Sequence, residues 1–452
     1  MMIEQIAEAG VVGAGGAGFP THVKLQSQAD TVVINAAECE PLLHKDKELI
    51  LHRTDQFIAG LAAAMRLTGA KQGIIGIKKK YEHVMTVLQP KLGKTMQIRP
   101  LDDAYPAGDE FLLVYETLGR VVPPGGIPMA VGCVVMNAET ACNVAAAVQQ
   151  TASQAVVEKY LSVGGAVEHP CSLRVPLGTS LSDCLKAAGG ASIPDPAFVV
   201  GGVMMGTLET DLSKPVTKTT GGLIVLPQDH FIVQRKRWTW ERTVKVGRAA
   251  CDQCSFCTEL CPRHLLGHPI EPHRAMRSLG FSPERRADVS GTMFCCECGL
   301  CSYYSCPEGL DPRGVCAENK RRIIAEQRSS GQRSSAFLLP FREKYADQMM
   351  RNRKTPTSRL ITKIGLAKFV NKAPLRDCLL AVQQVTIPLR QHIGAACVPV
   401  IHAGEVVRAG QPIAKRPVTD GKPALGADIH ASIDGVVKAV TAEAVRIEGT
   451  GK

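Results

Sequence analysis

CDQCSFCTELCP, residues 251–262, answered further along by CCECGLCSYYSCP, residues 295–307, decides what this chain is built around. In the first stretch Cys251, Cys254, Cys257 and Cys261 follow the spacing Cys-x2-Cys-x2-Cys-x3-Cys-Pro. In the second, Cys295, Cys298, Cys301 and Cys306 repeat it with one extra residue before the last cysteine. Three cysteines at intervals of three sit on a tight loop, so their sulfurs converge on three corners of one four-iron–four-sulfur cube. The fourth, at a helix start beyond the loop, turns toward the other cube. The spacing therefore predicts two [4Fe-4S] clusters with crossed ligand sets: Cys251, Cys254 and Cys257 with Cys306, and Cys295, Cys298 and Cys301 with Cys261. Zinc sites pair two cysteines with a distant second pair, which is not this pattern. Cys296 is left over between ligands and could substitute for Cys295, and Cys316 reads as a buried thiol.

The rest of the composition fits a cytoplasmic electron carrier. Ten of the 17 cysteines lie between Cys251 and Cys316, whereas a disulfide framework would spread them over a small secreted domain. The opening MMIEQIAEAG has neither a basic stretch nor an apolar core, so it is no secretory signal. No run approaches the roughly 18 apolar residues that span a bilayer, so no transmembrane segment is expected. The formal charge of +11 collects at Arg235–Arg237 and between Arg342 and Lys372. Such runs read as solvated faces or linkers, or as a dock for an acidic partner. Aromatics make up 4% of the chain, too few for stacking on bases, and no nucleic-acid motif is present.

Outward from the cysteines the expected fold is multidomain α/β. Residues 1–160 alternate strands (TVVINAAE at 31–38, GIIGIKK at 73–79, VGCVVMNAE at 131–139) with an amphipathic helix at 57–70. That alternation implies a largely parallel sheet. Residues 161–240 read as a β-grasp unit with a helix from about Ser180. Residues 241–326 form a helical two-cluster domain, and 327–384 a basic linker with one helix. Residues 385–452, with short strands and Ala-Gly and Asp-Gly turns, read as a small β-sandwich.

Gly13-Ala14-Gly15-Gly16-Ala17-Gly18 contains a formal GxGxxG. A dinucleotide fingerprint needs a strand before it and a helix after it. Here a short helix precedes it and Phe19-Pro20-Thr21 follows, so an ordinary Rossmann site is rejected. The glycines expose successive backbone N–H groups, which suits a phosphate. A turn packed closely on a strand is the other reading.

GAGGAGFPTHVK, INAAECEP, AYPAGDE and MNAET together resemble the flavin- and NADH-binding domain shared by the NADH-oxidising subunit of respiratory complex I and the RnfC proteins of Rnf complexes. The likeness runs on through the β-grasp unit into the cysteines. Over the whole chain the sequence resembles the cobalamin reductases of propanediol-utilisation microcompartments, which have the sandwich at the C-terminus; RnfC proteins carry a similar segment at the N-terminus. The resemblance implies FMN held by Gly15, Gly16, Gly18, Lys24, Asn35, Glu38, Gly108, Asp109, Glu110, Asn137 and Thr140. It implies Phe19 stacking on nicotinamide, Glu38 and Glu40 near the adenosine portion, and catalytic roles for Glu38 and Lys24. Glu38 and Glu40 also read as helix-start or solvated carboxylates. Ala14 stands where complex I proteins have an arginine, Ala37 where they have an aspartate, Ser27 where they have an aromatic residue, and Met136 where they have an asparagine. In the resemblance these departures fall nearer the nicotinamide dock than the flavin, so they bear on NADH binding more than on flavin binding.

The resemblance implies electron flow from NADH through FMN and two clusters to cobalamin, inside a bacterial microcompartment, with a shell protein and a cobalamin adenosyltransferase as partners. Two other readings are an electron-input subunit of a membrane Rnf-like complex and a cluster-bearing module without NADH activity of its own. The β-grasp unit is either structural or a cobalamin site, the latter on family analogy alone. His392 and His402 are surface or core residues, or approach a corrin. The sandwich looks like a lipoyl carrier, but Lys438 falls inside a strand rather than at a hairpin tip, so it reads as a docking module. Trp238 and Trp240 are expected to pack a domain junction.

Overall fold

The computed structural model describes residues 2–149, 154–280, 291–331, 346–419 and 421–450. The Val- and Ile-rich runs do form a parallel sheet, because strands covered on both faces read as continuous apolar stretches. Its four strands lie in the spatial order Met96–Leu101, Gln72–Lys78, Thr31–Ala36, Cys133–Asn137. Met96–Leu101 escapes the sequence reading, because MQIRPL has an interior proline and sits at the sheet's edge, where proline is tolerated. The helix Thr54–Thr68 ends at Gly69, whose φ of 70° suits a left-handed cap. It crosses the helix Ala138–Ala147 so closely that a Cβ on Gly60 would lie 1.8 Å from the Ala141 carbonyl oxygen. Side-chain caps begin two of the helices around this sheet: Asn137 for Ala138–Ala147 and Asp109 for Glu110–Leu118. Asn137 is also the last residue of its strand, so that helix starts at the carboxyl edge of the sheet.

The β-grasp unit is a mixed six-stranded sheet in the order Leu375–Leu379, Cys171–Pro176, Glu158–Gly165, Gly222–Pro227, Pro196–Val200, Thr207–Glu209. Its helix Leu181–Ala187 starts at Ser180, whose hydroxyl accepts the Asp183 N–H at 3.0 Å. In the stretch expected to be a basic linker, much of the described chain is folded. Residues 327–330 finish the helix Pro312–Ser330. Thr355–Pro356 pairs with Ala104–Tyr105, the helix Thr357–Lys363 follows, and Leu375–Leu379 becomes the edge strand beside Cys171–Pro176. Short apolar segments between Arg and Lys residues carry these pairings and hide in a compositional reading. Residues 332–345 lie outside the described residues.

The cysteine region is built from short helices (Phe256–Glu259, Pro262–Leu265, Pro272–Ser278), the last of which packs against Pro312–Ser330. Gln253, Ser255 and Glu297 have φ of 60°, 66° and 58°, as loops wound tightly around an object require of non-glycine residues. Cys261 stands at the N-cap of its helix with Pro262 in the first turn, whereas Cys306 closes the turn Cys301–Ser305 and is followed by another turn rather than a helix. The C-terminal sandwich has a four-stranded sheet (Gln384–Pro388, Ala444–Gly449, Gly435–Val440, Val406–Val407) around its own core of Val385, Ile387, Ile413, Val437 and Ile447. The FMN-type, β-grasp, cluster and sandwich units anticipated from the sequence are all present. No described helix is long and apolar enough to cross a membrane.

Candidate functional site

The glycine loop lies beyond the carboxyl edge of the parallel sheet, where open α/β sheets bind ligands. Gly15 and Gly16 have open space where a Cβ would stand. The N–H groups of Gly15, Gly16 and Ala17 find no partner among the described residues. The rest of the loop is pinned. The Ala14 N–H donates to the Thr140 hydroxyl at 2.9 Å, and the Ala14 carbonyl accepts the Lys159 amine at 2.8 Å. On the far side the Ile393 N–H of the sandwich donates to the Ala17 carbonyl at 2.8 Å. Gly18 packs against His392 and Thr219, either of which an added Cβ would meet at 2.7 Å. Unpaired N–H groups over open space, on a loop fixed at both ends, fit a phosphate.

Lys159 has no exposed surface to speak of and belongs to a buried charge network. Its amine reaches Glu139 at 2.5 Å; Glu139 also accepts Lys45 at 3.0 Å, and Lys45 reaches Asp46 at 2.6 Å. Burial lowers the Lys159 amine to about 8. Asp46 in turn accepts the Asn137 side-chain amide at 2.9 Å. Lys24 points to the edge of the sheet, donating to the Val135 carbonyl at 2.9 Å and lying 3.4 Å from Glu110. Asn35 donates to the Gly108 carbonyl at 2.8 Å, and a Cβ on Gly108 would lie 3.0 Å from the Cys39 sulfur. The glycine loop, Lys24, Asn35, Gly108, Glu110, Asn137 and Thr140 therefore share one edge. These residues suit FMN: amides and an ammonium for phosphate, amide and carboxylate groups for hydroxyls and ring edges. Phe19 is exposed at the end of the loop.

Three expected carboxylates are engaged elsewhere. Glu38, at a left-handed φ of 37°, accepts the Asp46 N–H at 2.8 Å and the Lys47 N–H at 3.4 Å. Burial and the Asp46 carboxylate raise its carboxyl to about 7. Glu40 accepts the Met204 and Met205 N–H groups, both at 2.9 Å, and so ties the flavin-type unit to a β-grasp loop. Asp109 accepts the Phe111 and Leu112 N–H groups at 3.1 and 3.2 Å through one oxygen and Arg263 at 2.8 Å through the other. Motif position points to these residues, but their partners come from sequence-distant segments that the motif does not contain. Lys159, Tyr105 and Arg263 are site residues that sequence reasoning misses. Tyr105 stands inside AYPAGDE and Arg263 directly after Cys261-Pro262, so nearness to a motif is the available signal.

Among the cysteines, the structure places Cys306, Cys251 and Cys254 around Cys257, whose thiol burial pushes up to about 12. Cys261 lies with Cys296 and Cys295, and Cys301 with Cys295, Cys261 and Cys257. Donors meet the sulfurs: the Glu297 N–H to Cys295 at 3.3 Å, the Leu310 N–H to Cys306 at 3.3 Å, and the Gln253 amide to Cys251 at 3.1 Å. Such donors stabilise thiolate sulfur and suit cluster ligands. Cys316 is fully buried beside Cys295. His392 borders the glycine loop; His402 is exposed and paired with Glu405 at 2.9 Å. Trp238 is stacked by Arg235, with the guanidinium 3.9 Å from the ring centre.

Comparison with known proteins gives four family matches in chain order. Residues 6–146 match the Nuo51 FMN-binding domain, 160–208 the SLBB domain, 250–311 a 4Fe-4S dicluster domain and 366–450 the RnfC barrel sandwich hybrid domain. Cobalamin reductase PduS of Citrobacter freundii is 42% identical over 98% of this chain and 95% of its own length. Cobalamin reductase PduS of Salmonella typhimurium is 43% identical over the same shares. A component of the proton-translocating ferredoxin:NAD(+) oxidoreductase complex of Clostridium ljungdahlii is 31% identical over 58% of this chain and 56% of its own.

Proposed function

The chain belongs to the family of the PduS cobalamin reductases, and from that premise we propose that it carries electrons from NADH, through FMN and two [4Fe-4S] clusters, to the cobalt of a cobalamin. It is an oxidoreductase with an FMN-binding domain and a 4Fe-4S dicluster domain. The observation that carries the proposal is the pinned glycine loop, with free N–H groups over open space, in the same folded body as a cysteine cluster where Cys306 lies near Cys257, and Cys261 near Cys296 and Cys295.

Each group has a distinct task. The N–H groups of Gly15, Gly16 and Ala17 meet the FMN phosphate, with Lys24 supplying positive charge. Asn35, Gly108, Glu110 and Asn137 line the edge that receives the rest. Bound flavin supplies the exchange between two-electron and one-electron chemistry that a hydride donor and a one-electron acceptor require. Lys159 and Thr140 hold the loop backbone so that its N–H groups stay aimed outward. Exposed Phe19 is the surface offered to nicotinamide. Both carboxylate oxygens of Glu38 and of Glu40 are engaged by backbone amides, so adenosine recognition by either residue would require an exchange of partners. The cysteine sets hold one cluster each.

The test is an anaerobic NADH titration of the reconstituted protein, with and without cob(III)alamin, followed by visible and EPR spectra. Bleaching of flavin and clusters, then drainage by cobalamin with a cobalt(II) signal, is expected. Intact clusters that NADH leaves oxidised would sink the NADH step and point to another donor. A microcompartment setting, with a shell protein and an adenosyltransferase as partners, is part of the same proposal. Co-fractionation with purified microcompartments tests it.

A further inference from the structure

We infer that the Cys261, Cys295, Cys298 and Cys301 set is the flavin-proximal one, tethered to the flavin edge by Tyr105 and Arg263, and that the Cys251, Cys254, Cys257 and Cys306 set faces outward. The inference rests on the proposed flavin and two-cluster reading and adds to it the polarity of the path and two positioning residues.

The loop between Ala104 and Glu110 contributes Gly108 and Glu110 to the flavin edge, and it sends two buried tethers the other way. The Tyr105 hydroxyl donates to the carbonyl of Cys298 at 2.6 Å, with the ring almost fully buried. Asp109, next to Gly108, holds the Arg263 guanidinium at 2.8 Å. Arg263 stacks on Phe111, its guanidinium carbon 3.7 Å from the ring centre, and stands two residues after Cys261. The same guanidinium lies near Cys296, between Cys295 and Cys298 in sequence. One tether therefore ends on Cys298 itself, and the other on the turn that follows Cys261. A third contact from the same unit, Glu40 to the Met204 and Met205 amides, braces the seam through the β-grasp loop.

The first set is the more open of the two. Cys254 is exposed, Cys251 and Cys306 are half-buried and Cys257 is buried, whereas in the second set Cys295 is half-buried and Cys261, Cys298 and Cys301 are buried. Phe256, beside Cys254 and Cys257 in the loop, is also exposed. The helix Trp240–Ala250 runs into Cys251 and presents exposed Arg242, Lys245 and Arg248 to solvent. An outward cysteine set beside apolar and cationic surface is where an external acceptor meets the protein.

Arg263 is a positioning residue with an electrostatic role. Cationic charge and hydrogen bonds near cluster sulfur favour the reduced cluster, so they raise its potential. Its partner Asp109 also caps the helix Glu110–Leu118 beside the flavin edge, so one side chain joins both centres.

The experiment uses the full-length holoprotein and three variants: Cys254→Ala/Cys257→Ala, Cys298→Ala/Cys301→Ala, and Arg263→Met. Iron and FMN are assayed first, and each cysteine pair should lose about four iron atoms. Loss of all iron or none would count against the two-cluster reading itself, separately from its polarity. The microwave-power saturation of the flavin radical in partly reduced protein then reports the nearest paramagnetic cluster. Wild type and the Cys254/Cys257 variant should relax alike, and the Cys298/Cys301 variant should saturate at tenfold lower power or less. The reverse assignment overturns the inference. Should the Cys298/Cys301 variant fail to fold, Arg263→Met decides. It should keep all its iron while the potential of one cluster moves negative, and Arg263→Lys should recover most of that shift. Unchanged potentials in Arg263→Met, or an equal change in both clusters, would refute the tether.

Discussion

Gly15 and Gly18 are three residues apart in one loop, and the structure assigns opposite consequences to the same substitution. At Gly18 the backbone has φ +68°, and an added Cβ would stand 2.7 Å from both His392 Cβ and Thr219 Cγ2. The left-handed conformation costs an alanine about 1–2 kcal/mol. Relieving the two overlaps adds about 1–3 kcal/mol, since neither neighbour is the free end of a flexible chain. Gly18→Ala should therefore destabilise the protein by about 2–5 kcal/mol, moving the sandwich off the loop and weakening the Ile393–Ala17 hydrogen bond. At Gly15 nothing lies within 4 Å of an added Cβ and φ is not positive. Gly15→Ala should change stability by less than about 0.5 kcal/mol. The open space is where the phosphate is placed, so FMN affinity should fall about tenfold, equivalent to about 1.4 kcal/mol. Denaturant melts of the FMN-free proteins give the first quantity, and fluorescence titration with FMN gives the second. A Gly15→Ala variant that binds FMN like wild type would show that the phosphate is not over Gly15. A Gly18→Ala variant as stable as wild type would show that the sandwich does not press on the loop.

Three further outcomes can be checked. Lys159→Met strips the buried Glu139 of its 2.5 Å partner and the Ala14 carbonyl of its donor. A loss of about 3–5 kcal/mol in a urea melt is expected, with weakened FMN binding; less than about 1 kcal/mol would mean Lys45 alone satisfies Glu139. Glu38 carries a carboxyl raised from 4.5 to about 7 by burial, so the folded state holds its proton more tightly than the unfolded chain. Its contribution is full below about pH 4.5 and declines as pH rises to about 7. The stability difference between wild type and Glu38→Gln should therefore fall between about pH 5 and 8, and a rise would contradict the assignment. Crossed ligation makes Cys306→Ala equivalent to Cys254→Ala: the double variant should lose no more iron than either single one. Cys261→Ala with Cys306→Ala should lose both clusters, and iron analysis with EPR distinguishes the two patterns.

The 4Fe-4S dicluster domain was legible because its signature is local: cysteines at intervals of three are written in consecutive residues. The flavin-type sheet was legible for a related reason, since buried parallel strands such as TVVINA announce themselves as unbroken apolar runs. Less visible was whatever depends on a distant partner. EKYLSVGG gives no hint that Lys159 enters the flavin-type unit to bind the Ala14 carbonyl, because a lysine in a strand usually faces water. Asp109 and Glu40 look like free acids in sequence, yet their oxygens are filled by Arg263 and by the Met204 and Met205 amides. The strand Leu375–Leu379, LRDCL, is too short and polar to stand out and is fixed by the edge of the β-grasp sheet it completes.

The position of the sandwich follows from the same contacts. It is last in this chain, but in space it lies against the first helix, Met2–Glu8. The Asp428 N–H donates to the Ala7 carbonyl at 3.4 Å, and Arg416 reaches Glu4 at 3.2 Å. Lys218 of the β-grasp unit is buried between them, its amine donating to the Gly10 carbonyl at 2.7 Å and the Asp428 carbonyl at 2.9 Å. A sandwich joined to the N-terminus would reach the same place, because the docking surface is beside that terminus. Relocating the unit would then leave the pinned glycine loop unchanged, and its place in sequence carries less information about function than its contact with Ala17 and Gly18. The contact itself can be cut at one atom. Ile393→Pro removes the N–H that holds the Ala17 carbonyl while keeping an apolar side chain. If the sandwich helps to set the loop, FMN should bind more weakly in that variant with the sandwich still folded by proteolysis and circular dichroism. Unchanged FMN affinity would mean that Thr140 and Lys159 suffice and that the sandwich serves a different surface.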